Sequence, residues 1–199
     1  MNDKYSDFHH LAEHEQEGRD WRIREHHAGP VLILAFHGGG IEPGTSELAE
    51  AIAGNEHSLY LFEGLKASGN RDLHITSSCF DKPRCGAMLA DAETVVAVHG
   101  EDSDEQVVFI GGLDNGLAAR VSAGLAAAGF VASPPNRVHL EGRAQSNICN
   151  GGRTGAGVQL EIADGLRRTF FRALTPSAER QHVTDAFRRF AAAVRTAMA

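Results

Sequence analysis

The sequence predicts an α/β fold, a three-layer sandwich with a mixed, largely parallel central sheet and helices on both faces. Apolar runs at 31–36, 94–98 and 107–110 are unbroken and end in turn residues, as in strands buried on both faces. Helical patterns separate these runs, which is typical of sheets covered by helices. The chain has 199 residues and shows no linker or repeat, so we expect one domain over residues 1–199.

Capping and turn residues predict the remaining elements. Helices are expected at 6–17 and at 117–128. A helix between them should begin at an N-cap of Thr45 or Ser46 and end before Gly54. The last helix should begin at Thr175-Pro176, with Thr175 as its N-cap and Pro176 as its first residue. Short strands are expected at 21–24, 59–62, 73–77, 130–132 and 158–162. Residues 134–157 are polar and lack periodicity, and loops of this length in compact domains are usually functional or disordered.

Composition excludes several classes of protein. With 26 acidic and 19 basic residues the net charge is −7, which argues against a general nucleic-acid binder. The three cysteines, Cys79, Cys85 and Cys149, cannot form a disulfide framework or a zinc ribbon. The start of the chain has no apolar signal segment and no run is long enough to cross a bilayer. We therefore expect a cytoplasmic monomer without a membrane partner.

Two strand ends carry a candidate metal site. His37 and His99 each follow a buried apolar run and precede glycine, and Glu42 follows His37 after a glycine-rich turn. Ligands collect at the carboxyl ends of strands in α/β sheets. Two histidines and one carboxylate are a ligand set of catalytic zinc with an open fourth position. The sequence therefore predicts a Zn²⁺ site at His37, Glu42 and His99.

Glu161 is the best candidate for the base that a zinc hydrolase needs. The 158–162 segment alternates, which places Val158, Leu160 and Ile162 on one face of the strand and Gln159 and Glu161 on the other. A carboxylate near a metal ion would stay ionised despite burial.

The charge distribution suggests a substrate rich in carboxylates. Residues 137–172 contain six arginines against three acidic residues. In the loop before the Glu161 strand, Arg143, Asn147, Asn150 and Arg153 are the predicted substrate-binding residues, because arginine suits bidentate carboxylate recognition. We interpret Arg167, Arg168 and Arg172 as surface arginines of a helix.

Competing motifs are weaker. His37-Gly-Gly-Gly resembles the oxyanion-hole loop of esterases, but the sequence has no Gly-x-Ser-x-Gly elbow. It also has no P-loop and no His-Glu-x-x-His. The other nine histidines, including His10, His14 and His74, are interpreted as having no role in the site.

An ordered set of blocks resembles one known family. The blocks are His37-Gly-Gly-Gly-Ile-Glu42-Pro-Gly-Thr-Ser46, Tyr60-Leu-Phe-Glu-Gly64, Leu73-His-Ile-Thr-Ser77, Val98-His99-Gly100, Gly111-Gly112, Asn147-Ile-Cys-Asn150 and Gly157-Val-Gln-Leu-Glu161. Over roughly residues 5–195 they are similar to the phage-type poly-γ-glutamate hydrolases, zinc-dependent enzymes resembling metallocarboxypeptidases in fold. The resemblance implies zinc held by His37, Glu42 and His99, with Glu161 as general base. It implies cleavage of γ-glutamyl amide bonds in a polyanionic polymer, and a phage-encoded copy would be released by cell lysis.

Two other functions stay open at this stage. One is a zinc amidase or carboxypeptidase acting on another small acyl-amino acid or peptide. The other is a catalytically silent metal-binding domain, against which the intact Glu161 speaks.

Overall fold

A seven-stranded sheet forms the centre of the computed structural model, which describes residues 3–81 and 83–199. The strands in this part of the chain are β1 (Trp21–His26), β2 (Val31–Gly39), β3 (Ser58–Gly64), β4 (Thr94–Glu101), β5 (Val107–Gly112), β6 (Val131–Ser133) and β7 (Val158–Ala163). The α-helices are α1 (Phe8–His14), α2 (Thr45–Ala53), α3 (Pro83–Asp91), α4 (Asn115–Ala127), α5 (Asp164–Phe170) and α6 (Asp185–Ala197).

Strand direction decides which ends meet at one edge of the sheet. The order is β1-β3-β2-β4-β7-β5-β6, and the four central strands β3, β2, β4 and β7 run parallel. Strand β1 is antiparallel to β3, and β5 is antiparallel to β7. The carboxyl ends of the adjacent strands β2, β4 and β7 therefore share one edge. Because β5 is reversed, Gly111 and Gly112 at its end lie at the opposite edge.

The two faces of the sheet carry separate hydrophobic cores. In β2, Ile33 and Ala35 face the core built with α2, α4, α5 and α6. Leu32 and Leu34 face the core built with α1 and α3. Because helices cover both faces, the central strands are apolar at consecutive positions. The predicted fold class, a three-layer sandwich with a mixed sheet, is confirmed.

Two predicted elements are wrong. Residues 73–77 form no strand; a 3₁₀ turn at Asn70–Leu73 leads into irregular backbone. Thr175-Pro176 does not begin the last helix but precedes a 3₁₀ turn at Ser177–Gln181. The helix starts at Asp185, where the Thr184 side chain accepts a hydrogen bond from the N–H of Phe187. In both cases a short local pattern was overridden by the tertiary structure, which places irregular backbone or a 3₁₀ turn there.

The entry into α2 also differs from the prediction. Its N-cap is Gly44, at φ +96°, and not Thr45 or Ser46. The Thr45 hydroxyl donates to the carbonyl of Glu42, and the Ser46 hydroxyl accepts from the N–H of Gly39. These two side chains therefore stabilise the turn that follows β2.

The sequence patterns missed α3 and α5. Helix α3 spans nine residues, and α5 follows β7 with no intervening turn residue to mark its start. None of the helices in the described ranges has the length and apolarity needed to cross a bilayer.

The three cysteines are free and differ in access. Cys79 is exposed, whereas Cys85 and Cys149 are buried. Burial raises the pKa of both buried thiols to about 12. Thiol reactivity depends on the thiolate, so these two side chains are inert.

Arg167 is buried, contrary to its interpretation as a surface residue. Its guanidinium donates to the carbonyls of Ile162 (3.0 Å), Pro43 (2.7 Å) and Glu101 (3.1 Å). These carbonyls belong to β7, to the segment after β2 and to the end of β4. A Cβ atom on Gly100 would lie 2.6 Å from the Arg167 Cζ, so only glycine leaves room for this side chain. Arg167 thus joins the ends of three adjacent strands.

Replacing Arg167 by lysine should destabilise the fold, because one ammonium cannot reach three separated carbonyls. We expect Arg167→Lys to lower the free energy of unfolding by at least about 2 kcal/mol, since hydrogen bonds to charged groups contribute about 1.5–3 kcal/mol each. For a chain of this size that is a fall in Tm of about 4–8 °C. Thermal and urea denaturation measure it.

Arg168→Lys is the matched control. Arg168 is its neighbour on α5 and pairs with Asp164 and Asp104 at the surface. The Tm of this variant should stay close to that of the unmodified chain. Equal shifts in the two variants would contradict the role given to Arg167.

Candidate metal centre and catalytic cleft

A cleft of about 460 Å³ opens at the edge where β2, β4 and β7 end. His37, Glu42, His99 and Glu161 all line it. The structure therefore brings together the predicted metal ligands and the predicted base, which come from three separate segments of the chain. Arg71, His74 and Arg137 also line the cleft, together with Asp3 and other side chains.

The ligand atoms of His37, Glu42 and His99 lie within 4.8 Å of one another. His37 Nε2 donates to the carbonyl of Ile75 at 2.8 Å, which leaves Nδ1 as the atom with the lone pair. This Nδ1 lies 3.0 Å from Glu42 Oε1 without hydrogen-bond alignment. His99 Nδ1 lies 3.8 Å from Glu42 Oε2. The lone pair of His37 Nδ1 faces the Glu42 carboxylate so closely that a proton or a cation is needed between them.

The charges of the three side chains fit a metal ion. Burial raises the pKa of Glu42, but His37, His99 and the N–H of Gly100 outweigh it and bring the value to about 2. Burial lowers the pKa of His99 to about 3, so its imidazole is neutral. Burial also lowers the pKa of His37, but the adjacent Glu42 raises it by more. A divalent cation would take the place of that proton, since metal ligation needs neutral imidazole and ionised carboxylate.

Burial leaves two imidazole nitrogens without partners. His37 Nδ1 and His99 Nε2 are buried and have no hydrogen-bond partner among the described residues. Unpaired buried polar atoms are costly and mark sites of function or of a bound ion. The donor set of two imidazoles and one carboxylate fits zinc with a position left for water or substrate.

A tight turn brings the side chain of Glu42 next to that of His37. The N–H of Glu42 donates to the carbonyl of His37 at 2.8 Å, and β2 shifts register against β3 between Ala35 and Gly38. Gly39, at φ +66°, packs so closely that a Cβ atom would lie 2.5 Å from the Gly64 carbonyl oxygen. Only glycine meets both conditions, which explains the glycine-rich sequence after His37.

Glu161 is adjacent to His99 across the sheet, because these residues are Cα partners in the parallel pair β4–β7. As predicted, Val158, Leu160 and Ile162 face a helix-covered core, and Glu161 points from the other face. Burial and the carboxylates of Glu42 and Glu101 raise the pKa of Glu161 well above its usual range. A cation in the triad would favour the ionised form of this side chain.

Two arginines that the sequence did not single out flank the cleft. The side chains of Arg71 and Arg137 are 56% and 54% exposed and pair with Asp102 and Glu101. Each leaves N–H groups of its guanidinium directed to solvent. Arg71 lies in a 3₁₀ turn and Arg137 in an irregular segment, so no periodicity marked either position.

His74 is the other side chain that the sequence interpretation missed. Its ring stacks on the ring of His37, with centroids 4.0 Å apart. Its Nδ1 lies 2.7 Å from Asp3 Oδ1, and its Nε2 lies 3.9 Å from Glu42 Oε1. Burial, followed by the nearby His37, lowers the pKa of His74. The segment predicted as a strand is in fact the wall of the cleft.

The structure does not bring Arg143 and Arg153 to the cleft. The Arg143 guanidinium lies 3.5 Å from the carbonyl of Gly112, and Arg153 pairs with Glu93, also at 3.5 Å. Gly112 ends the reversed strand β5 and Glu93 precedes β4, so both arginines lie at the edge opposite the cleft. The prediction relied on the position of these residues in the loop before the Glu161 strand, but this part of the loop leads to the amino end of β7, at the edge opposite the cleft.

Asn147 and Asn150 are buried and bonded within the protein. The Asn150 side chain accepts from the N–H groups of Leu113 and Gly157 and donates to the carbonyls of Gly142 and Ala144. This fully paired amide holds the loop before β7 in place. The Asn147 side chain contacts Gln159, which in turn contacts Glu161.

Solved structures and curated proteins resemble this chain over nearly its whole length. The structure matches "Structure of Bacteriophage poly-gamma-glutamate hydrolase" with a TM-score of 0.94 and 35% identity, covering 99% of this chain and 97% of the other. It matches a structure described as "YNDL-apo (Zinc-free)" with a TM-score of 0.92 and 37% identity, covering 99% and 98%. The UPF0714 protein YndL of Bacillus subtilis (strain 168) is 39% identical over 196 residues, which is 94% of this chain and 77% of YndL.

The family assignment follows from the sequence as well. The family described as "Poly-gamma-glutamate hydrolase" matches residues 5–193, nearly the whole chain. The chain belongs to the poly-gamma-glutamate hydrolase family.

Proposed function

We propose that this protein is a zinc-dependent hydrolase that cleaves γ-glutamyl amide bonds of poly-γ-glutamate. One observation carries the proposal: the triad His37, Glu42 and His99 converges beside the buried Glu161 in an open cleft. The similarity to a phage poly-gamma-glutamate hydrolase supports the substrate, and the zinc-free description of the YndL structure supports the metal.

The proposed mechanism assigns one task to each group. His37, Glu42 and His99 hold the metal. When bound, zinc would lower the pKa of a water molecule and polarise the scissile carbonyl. Glu161 accepts a proton from the attacking water molecule while the water oxygen bonds to the carbonyl carbon. Glu161 then donates that proton to the amide nitrogen as the C–N bond breaks, which releases the amine and restores the carboxylate.

The substrate contacts follow from the chemistry of the polymer. A γ-linked chain of glutamates keeps one free α-carboxylate on each residue. Arg71 and Arg137 present exposed guanidinium groups beside the metal site, and arginine binds carboxylates through paired N–H groups. In the proposed complex each arginine gives up its ion pair, Arg71 with Asp102 and Arg137 with Glu101, and binds a substrate carboxylate instead.

The base is tested with Glu161→Gln, which keeps the shape of the side chain and removes its proton affinity. We expect the zinc content to stay at one per chain and kcat to fall at least about 100-fold, the usual contribution of a general base. Polymer shortening by size-exclusion chromatography and release of new amino groups measure the activity. Full activity in this variant would refute the assignment.

The same assay separates the alternative functions. Turnover of small acyl-glutamates without attack on the polymer would favour an amidase or carboxypeptidase. A zinc-loaded protein that acts on no γ-glutamyl amide would favour a silent metal-binding domain.

The metal ligands are tested with His99→Ala, which removes one of three donors. Elemental analysis after dialysis should find far less than one zinc per chain. His139→Ala is the control, because His139 lines the same cleft, is exposed and lies outside the triad. Retention of one zinc per chain by His99→Ala would show that the ligand assignment is wrong.

The substrate arginines are tested by alanine substitution. Arg71→Ala and Arg137→Ala should each raise KM for poly-γ-glutamate about tenfold with a smaller change in kcat, since a charge-assisted hydrogen bond contributes about 1.5–3 kcal/mol. Arg143→Ala and Arg153→Ala make the same charge change at the opposite edge of the sheet. A rise in KM in that second pair alone would reinstate the sequence-based prediction.

A further inference from the structure

We infer that Gln159 and Asn147 are positioning residues that hold the Glu161 carboxylate in one orientation, with one oxygen occupied and the other left for the proton. The inference rests on the proposed function, in which Glu161 is the base. It is carried by a row of hydrogen bonds that begins at the backbone and ends at Glu161.

The row has three links. The backbone N–H of Cys149 donates to Asn147 Oδ1 at 3.0 Å. Asn147 Nδ2 donates to Gln159 Oε1 at 3.0 Å, and Gln159 Nε2 donates to Glu161 Oε1 at 2.8 Å. A second contact of Gln159 Nε2 reaches the carbonyl of Leu140 at 3.4 Å.

The direction of this row is fixed at its origin. A backbone N–H can only donate, so the oxygen of the Asn147 amide must face Cys149. The nitrogen of Asn147 then faces Gln159, whose oxygen must turn towards it. The nitrogen of Gln159 is left facing Glu161. Neither amide can reverse without opposing two acceptors or two donors, so Glu161 Oε1 always meets a donor.

Packing holds Gln159 as firmly as its hydrogen bonds do. The side chain is 1% exposed, and Asn147 is 8% exposed. Gly142, at φ +59°, lies against it, and a Cβ atom there would be 3.0 Å from Gln159 Cδ and Oε1. Burying an amide costs free energy of desolvation unless every polar group is paired, so an apolar side chain would fill this position at a lower cost in stability.

The consequence for Glu161 is geometric. With Oε1 bound to Gln159, the carboxylate cannot rotate freely, and Oε2 remains the oxygen that can accept a proton. Positioning of this kind matters because a misplacement of about 1 Å can cost about 100-fold in rate.

The test is Gln159→Met, which fills a similar volume and removes the donor. In the zinc-loaded enzyme we expect kcat on poly-γ-glutamate to fall at least tenfold, with KM within twofold and zinc retained. A crystal structure of the zinc-loaded variant should show the Glu161 carboxylate rotated or in more than one conformer. A residue that only fills space would leave both kcat and the conformation of Glu161 unchanged, and that result would overturn the inference.

Two further variants keep the test decisive if Gln159→Met does not fold. Gln159→Leu removes the donor without adding charge, so kcat should again fall at least tenfold. Asn147→Ala leaves Gln159 able to reach Glu161, so its kcat should lie between those of Gln159→Leu and the unmodified enzyme. An equally active Gln159→Leu would contradict the inference.

Failure of the inference differs from failure of the proposed function. If the unmodified zinc-loaded protein does not cleave the polymer, the proposed function fails. If it does, and the Gln159 variants cleave equally well with Glu161 unmoved, only the positioning role fails.

Discussion

The carboxyl edge of the sheet depends on one buried guanidinium. Arg167 binds the carbonyls of Pro43, Glu101 and Ile162, and each of these residues lies within two positions of Glu42, His99 or Glu161. Sheet hydrogen bonds end where the strands end, so they cannot by themselves fix the segments beyond. The three bonds of Arg167 tie the segment that carries Glu42 to the ends of β4 and β7, which carry His99 and Glu161.

That arrangement concentrates negative charge. The carboxylates of Glu42 and Glu101 lie near the buried Glu161, and with burial they raise the pKa of Glu161. A cation in the triad relieves this repulsion, so the site should favour metal binding and the bound ion should stabilise the fold. The same cation would favour the ionised form of Glu161.

The sequence predicted the side chains that converge in the cleft better than those at its rim. The convergence of His37, Glu42, His99 and Glu161 could be predicted because they follow or lie in buried apolar strands whose carboxyl ends share one edge. Arg143 and Arg153 lie away from the cleft because they are close to Glu161 in the chain but lead to the amino end of β7, whereas Glu161 lies near its carboxyl end. Arg71 lies in a short 3₁₀ turn and His74 directly after it, where no repeating sequence pattern marks a position. Arg167 was taken for a surface residue because its carbonyl partners are brought together only by folding.

Because the three cysteines differ in exposure, one thiol near the cleft wall can be labelled selectively with a fluorophore. Cys79 is exposed and lies two residues beyond Ser77, which lines the cleft. Cys85 and Cys149 remain protonated in the core. A maleimide fluorophore should therefore attach at a single thiol of the unmodified sequence, and its emission would report ligand binding in the cleft without any engineered residue.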